Sequence, residues 1–440
     1  MHLKGFELPE YFMLGSATSA TQIEGGDRNN SWYEWCLWGN TEDGTTSLRA
    51  ADHWNRYEED IKLLDSSMDH KIYRMSIEWS RIEPEKGSFD TEAMEHYRDE
   101  LELLKKHGIR PLVTLHHFSN PVWFESEGAF ENRSCVEYFK RYAEYVVESL
   151  GDLAWEYVTI NEPNVYAING YHYGIWPPGK QDMRLMYRVL RNMVLCHIEA
   201  YETIHSLRKR RGFSGETRVG PAYHLRAFAP YSKNPSDMLA ARIIEYLFQS
   251  ALVLSMSNGF LYAPIGAGLP YKIGKYSDFL GFNYYSRSSV HFQGFRDDVM
   301  PDTLRNDLGW EIYPKGLYEL CRKWYRKLKL PIWITENGTC DREDSFRARF
   351  IYDHLREVAR LCEDGVPVER YYHWSLIDNF EWLHGESAPF GLVGVDFKTQ
   401  ERKIKKSGEF YAEICRNKGV TDQMIGEYIG GEKGEGEQVD

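Results

Sequence analysis

Glu156-Tyr157-Val158-Thr159-Ile160-Asn161-Glu162-Pro163 runs apolar and β-branched, turns polar and stops at a proline. Ile332-Trp333-Ile334-Thr335-Glu336-Asn337-Gly338 is built on the same plan. Short β-branched runs closed by proline or by Asn-Gly read as buried strands that end in a turn. Each strand thus delivers a glutamate, Glu162 or Glu336, to its C-terminal end. A glutamate at a strand end is ordinarily a solvated acid. Two of them, far apart in the chain and each beside an asparagine and a turn breaker, suit a two-carboxylate mechanism. One acid would donate a proton and the other act as nucleophile or base.

The same unit recurs in both directions. Further strand patterns lie at 12–18, 71–77, 110–118, 218–224, 278–285 and 371–376. Helical periodicity fills 51–68, 91–107, 136–150, 185–210, 315–328 and 345–363. Strands alternating with helices pair in parallel through helical crossovers. Eight such units predict an α/β chain closed into a (β/α)8 barrel. The competing topology, an open doubly wound sheet, often carries a Gly-rich phosphate loop after its first strand, and none is present. A closed barrel brings every strand end to one face. Arg74, His116, His117, Asn161, Glu162, Asn283, Tyr284, Tyr285, Glu336 and Trp374 are then expected around one pocket. Long loops at 24–50, 163–184 and 286–310 would build its mouth. The reading is one domain over 1–429 and a flexible Gly/Glu-rich tail over 430–440.

Composition narrows the ligand. Aromatics make up 15% of the 440 residues, with 13 Trp and 30 Tyr. Flat faces with polar edges suit sugar rings, and a generally aromatic core accounts for the excess equally well. A net charge of −13 leaves no electrostatic footprint for nucleic acid or an anionic membrane. The basic run Arg208-Lys209-Arg210-Arg211 reads as a solvated helix C-terminus. The seven cysteines are odd in number, lack metal-ligand spacing and look like thiols of a reducing compartment. The N-terminal residues carry no apolar run of signal-peptide length, and no stretch reads as long and apolar enough to span a bilayer. The expectation is a cytoplasmic protein. His116-His117 invites a metal, but adjacent strand residues point to opposite faces and no HExxH accompanies them. No metal or other cofactor is expected.

Taken in order, these segments resemble glycoside hydrolase family 1, the retaining β-glycosidases. The match runs from Gly15-Ser16-Ala17-Thr18-Ser19-Ala20-Thr21-Gln22-Ile23-Glu24-Gly25 to Lys403-Ile404-Lys405-Lys406-Ser407. Asp278-Phe279-Leu280-Gly281-Phe282-Asn283-Tyr284-Tyr285 and Trp374-Ser375-Leu376-Ile377-Asp378-Asn379-Phe380-Glu381-Trp382 fall in place between. The resemblance implies that Glu336 attacks the anomeric carbon and forms a glycosyl-enzyme. Glu162 would protonate the leaving oxygen and later take a proton from water. Arg74 and Tyr285 would hold the nucleophile, with Asn283 orienting the site. Gln22, His117, Asn161, Glu381 and Trp382 would bind the sugar hydroxyls over a floor formed by Trp374. Trp310 would line the aglycone side, and Phe390 the sugar's 6-position.

Two positions depart from the family pattern. Phe118-Ser119-Asn120 stands where many members have Trp then Asp, and Thr21 replaces an aromatic. Members acting on 6-phosphorylated sugars lack the acid at Glu381, which implies an unphosphorylated substrate here. The function expected is hydrolysis of small, terminal β-glycosides, with β-glucoside the default. β-Galactoside or β-fucoside specificity, or glycosyl transfer, would use the same site. A non-catalytic sugar-binding module is the alternative of another class.

Overall fold

The computed structural model describes residues 3–430. From residue 431 on, the Gly/Glu-rich tail lies outside the described residues. Eight parallel strands close into a barrel: β1 (Met13–Ala17), β2 (Ile72–Ser76), β3 (Arg110–His116), β4 (Glu156–Asn161), β5 (Arg218–His224), β6 (Leu280–Asn283), β7 (Ile332–Asn337) and β8 (Val368–Trp374). They pair in sequence order, and β8 returns to β1. All eight expected strands are present, with ends displaced by three residues at most. The crossover helices are α1 (His53–Lys62), α2 (Thr91–Lys106), α3 (Cys135–Leu150), α4 (Met183–Arg211), α5 (Ala251–Asn258), α6 (Pro314–Leu328), α7 (Arg347–Glu363) and α8 (Lys406–Asn417).

Alternation along each strand sorts residues between the inside of the barrel and its helical jacket. Ile72, Leu112, Val158, Trp333 and Tyr372 pack inside. Tyr73, Val113, Tyr157 and Ile334 face outward into the larger core beneath the helices. Arg74 shares parity with Ile72, and Thr114 with Leu112, so both point inward. One end of the interior is sealed. Trp333 stacks on Phe279 with ring centres 3.7 Å apart, and Arg370 lies 3.6 Å over the Trp333 ring. The same guanidinium forms a two-pronged pair with buried Glu156.

Two strands break the alternation at their C-terminal ends. The register of β4 shifts between Val158 and Asn161, and that of β7 between Ile334 and Asn337. Val158 faces inward, so strict alternation would send Ile160 in and Asn161 out. Instead Ile160 packs in the outer core and Asn161 meets Arg74. In β7, Trp333 and Thr335 face in, and the shift lets Glu336 face in as well. Bulges that redirect one side chain are common beside functional sites.

Three sequence expectations change. Arg208 is buried, donating to the carbonyls of Gly151 and Ala154 and to Thr217 Oγ1, so only Lys209, Arg210 and Arg211 of the basic run are solvated. The 24-residue stretch Pro235–Asn258, for which no helix was expected, is helical and by length and composition apolar enough to cross a membrane. Half of its most apolar window is buried against the rest of the chain, and a π turn at Tyr246–Ser250 interrupts it. A helix that packs one face against a globular fold passes the same test of length and composition. The long loops are also partly regular. Pro163–Ile168 is helical, and Arg287–Val290 joins Ala227–Pro230 and Asp297–Asp298 in a small sheet over the barrel mouth.

Candidate active site

Both motif glutamates border one cavity of about 520 Å3 at the C-terminal ends of the strands. His117, Tyr285, Trp310 and Trp374 line it too, as do Glu381, Trp382 and Phe390. Gln22, Arg74, Asn161 and Asn283 lie behind that lining, each fully buried. Of the fifteen residues placed around the pocket from the sequence, thirteen converge there, nine at the surface of the cavity and four in its backing. His116 and Tyr284 do not. Adjacent strand residues point to opposite faces, so beside His117 and Tyr285 both turn outward. His116 packs against Phe130 and Tyr166, and Tyr284 lies in the core beneath the helices, where its hydroxyl donates to the Tyr313 carbonyl.

The backing is a single hydrogen-bonded network. Arg74 Nη1 donates to Glu336 Oε1 at 2.5 Å and to the Thr335 carbonyl at 3.2 Å. Its Nη2 donates to Asn161 Oδ1 at 2.6 Å, and its Nε to Thr114 Oγ1 at 3.0 Å. The Tyr285 phenol donates to the other nucleophile oxygen, Glu336 Oε2, at 2.7 Å. Asn283 Nδ2 reaches Glu162 Oε1 at 2.8 Å and Asn161 Oδ1 at 2.9 Å, while its Oδ1 accepts from Thr335 Oγ1 at 2.6 Å. One amide thereby ties the strand of one glutamate to the strand of the other.

Burial governs the charges. It pushes the Glu336 carboxyl up, to about 7; Arg74 opposes this, the charge of Glu162 adds to it and Tyr285 opposes it. Glu381 is raised to about 8, by burial first and by the charge of Glu336 second, against hydrogen bonds from Trp374 and Gln22. Arg74 and the phenol both donate to Glu336 and favour its ionised form. His117 is held neutral, well below the usual imidazole value, by burial and then by the Arg74 charge. Its Nε2 lies 3.1 Å from the Asn161 amide nitrogen. The ring hydrogen is then on Nδ1, a buried atom with no partner in the protein. A sugar hydroxyl would complete it.

Local backbone geometry aims these groups. Glu162 has φ +44°, in the left-handed region, directly before Pro163 at the first turn of the helix 163–168. Phe118 (φ +72°) and Trp382 (φ +49°) share that conformation and also line the cavity. Such backbone is rare outside glycine and clusters at binding sites. Gly338, two residues past Glu336, is forced: a Cβ there would stand 1.9 Å from the Trp374 carbonyl oxygen.

The departures from the family pattern find partners. Phe118 packs edge-on against Trp176 and Trp382 at 4.9 and 5.2 Å. Thr21 Oγ1 donates to buried Glu78 Oε2 at 2.6 Å, and Ser119 Oγ reaches the same carboxylate at 2.8 Å. The aromatic excess divides between two uses. Trp32, Trp79, Trp324 and Trp333 are fully buried core, whereas Trp176, Trp310, Trp374 and Trp382 face the cavity. Sequence reasoning missed His224, whose Nδ1 lies 3.2 Å from Glu162 Oε1 and whose ring stacks on Tyr285. It ends β5, so the strand-end rule that found the others could have found it.

A carboxylate pair in an aromatic, blind-ended cavity at the C-terminal mouth of a (β/α)8 barrel defines a glycoside hydrolase. The chain belongs to glycosyl hydrolase family 1, whose model matches residues 5–259 and 270–420. It is 34% identical to beta-glucosidase A of Acetivibrio thermocellus, over 93% of this chain and 98% of that protein. Identity to beta-glucosidase A of Thermotoga maritima is 32%, over 96% and 100%. Among solved structures, a beta-glycosidase from Pyrococcus horikoshii superposes with a TM-score of 0.88 at 35% identity, covering 96% of this chain and 98% of that one.

Proposed function

We propose that this enzyme is a retaining β-glucosidase that removes a terminal glucose from small β-glucosides through a covalent glycosyl-enzyme. The observation that carries the reading is the clamp on Glu336. Arg74 and Tyr285 hold its two oxygens separately, leaving a carboxyl that is fixed in place at the cavity and favoured in its ionised form. A base that activates water needs no such clamp, and a nucleophile that must meet an anomeric carbon in line does. Glu162, joined to the same network through Asn283, protonates the departing oxygen and then deprotonates water.

The β-glucosidase relatives support glucose as the sugar. At neutral pH Glu381 is a buried acid that both donates and accepts, matched to a sugar's outer hydroxyls. An acid in this place is one ground for an unphosphorylated sugar, since family members acting on 6-phosphorylated sugars lack it. The stronger ground is the lack of a cation. Among the described residues lining the cavity, the one arginine is Arg226, and it is held by Asp297 and Ser288.

The test is Glu336→Gln assayed with a nitrophenyl β-glucoside. The expected loss is on the order of 10³-fold or more, as for removal of a nucleophile. Undiminished turnover would remove Glu336 from that role. Proton NMR of the first-formed sugar should show the β-anomer, and the α-anomer would refute retention. We further place the enzyme in a reducing compartment. Support comes from the thiols Cys135 and Cys196, unbonded with sulfurs 3.6 Å apart. Detection of a disulfide in freshly isolated enzyme would count against this.

A further inference from the structure

The cavity is two-sided in character. Its inner end carries the carboxyls and indoles described above. Its outer end is walled by three elements that turn apolar residues toward it. The first turns of α4 contribute Met183, Met186, Tyr187 and Leu190, spaced i, i+3, i+4 and i+7. On a crossover helix such a stripe normally faces the barrel core. Here these four side chains border the cavity. Opposite them, Ile244, Leu247 and Phe248 repeat the i, i+3, i+4 spacing on the stretch that leads into and through the π turn Tyr246–Ser250. A second π turn, Asn169–Tyr173, follows the helix that starts beside Glu162. Single π turns are frequent at functional sites, and both of these border the same space.

The apolar character continues to the rim. Met183 and Tyr173 line the cavity yet are 55% and 51% exposed. Ile175 and Phe295 do the same at 43% each. Polar groups are sparse on this side. Arg226 is engaged by Asp297 and Ser288 and His384 by Glu42, leaving Asn169, His172 and the phenols of Tyr173 and Tyr187 as side chains that could meet a ligand hydroxyl. A second sugar would bring a full ring of hydroxyls into this wall, and each one buried without a partner costs binding energy. A hydrocarbon chain leaves no hydroxyl unpaired there and gains from every methylene covered.

We propose that the outer half of the cavity is an aglycone channel for a medium-length aliphatic chain. On this view the preferred substrates are β-glucosides of fatty or terpenoid alcohols, not cello-oligosaccharides. The inference rests on the β-glucosidase reading and specifies the group that leaves. The methionines and Leu190 supply an adaptable wall that follows a flexible chain, and the exposed rim carries a chain longer than the channel.

The experiment measures kcat/KM for methyl, butyl, hexyl and octyl β-glucosides and for cellobiose, all below the concentration at which the alkyl glucosides form micelles. A nitrophenyl β-glucoside is run alongside. The expected result is a rise of up to about threefold per added methylene, placing octyl at least about tenfold above cellobiose. Leu190→Asn should lower the octyl-to-methyl ratio by roughly fivefold or more. A chain-length series that stays flat, or cellobiose equal to octyl, overturns the proposal. The arms separate the two readings. Nitrophenyl turnover with a flat series removes only the channel, whereas no turnover of any β-glycoside removes the enzyme reading beneath it.

Discussion

Replacing Tyr285 with phenylalanine isolates one hydrogen bond at the centre of the site. The phenol lies 2.7 Å from Glu336 Oε2. Its own pKa is pushed well above 10 by burial and by the Glu336 charge, so it remains a neutral donor at every working pH. The ring packs against His224, Trp310 and Phe390, and phenylalanine keeps those contacts. A hydrogen bond to a charged group contributes about 1.5–3 kcal/mol, so kcat/KM should fall roughly 10- to 150-fold. The change also has a sign in pH. The phenol favours ionised Glu336, so without it a carboxyl already raised to about 7 rises further. The acid limb of kcat/KM therefore moves to higher pH. The assay is nitrophenyl β-glucoside hydrolysis from about pH 4.5 to 9 in wild type and variant. A loss below about threefold, or an acid limb displaced downward, would refute the assignment of Tyr285 as a holder of the nucleophile.

Other substitutions probe separate parts of the molecule. Glu381 binds its proton more tightly when folded, with a value of about 8, than when unfolded, so its protonation stabilises the fold fully below the ordinary carboxylate value and the benefit disappears as pH rises through 8. Glu381→Gln should accordingly gain melting temperature relative to wild type between about pH 5 and 9, while sugar hydrolysis falls; a pH-independent difference would contradict this. His224→Phe removes a ring nitrogen 3.2 Å from the acid/base and should slow alkyl glucosides roughly tenfold more than dinitrophenyl glucoside, whose leaving group needs no proton. Equal losses on both would place His224 outside proton transfer. Glu156→Gln strips the carboxylate from buried Arg370 at the sealed end and should cost about 3–5 kcal/mol of stability, read as a lower melting temperature, with kcat/KM intact. An unchanged melting temperature would show that the pair is not needed.

The barrel was legible because its strands are buried on both faces and therefore advertise themselves as apolar, β-branched runs. Glu156–Asn161 and Arg218–His224 could be delimited to the residue from that signal. Part of the site was legible for a related reason: in a closed barrel, position at a strand end is already a prediction of place, whereas Gln22, Trp310, Glu381, Trp382 and Phe390 lie outside the strand ends and came only from the resemblance to the family. The misses have a common origin in packing that leaves no local trace. Alternation alone turns Glu336 outward, and only the register shift in β7, set by its neighbours, turns it in. The left-handed backbone at Glu162, Phe118 and Trp382 is imposed on residues that do not favour it. Met183, Met186, Tyr187 and Leu190 look in sequence like any core-facing stripe, and their exposure to a cavity depends on what stands across from them. Arg208 looked solvated because three basic neighbours are, whereas its guanidinium satisfies carbonyls on a different segment.

The stack of Phe279, Trp333 and Arg370 over Glu156 shares no residue with the lining of the catalytic cavity. The enzyme is thus a well with one opening. On the proposed double displacement, a sugar at the bottom cannot depart until the group above it has gone: the alcohol leaves first, water enters by the path just vacated, and the sugar exits last. The same plug means that a polymer cannot be threaded through and cut in its interior. On the same proposal each visit removes one terminal sugar, and the released sugar competes for the deepest seat.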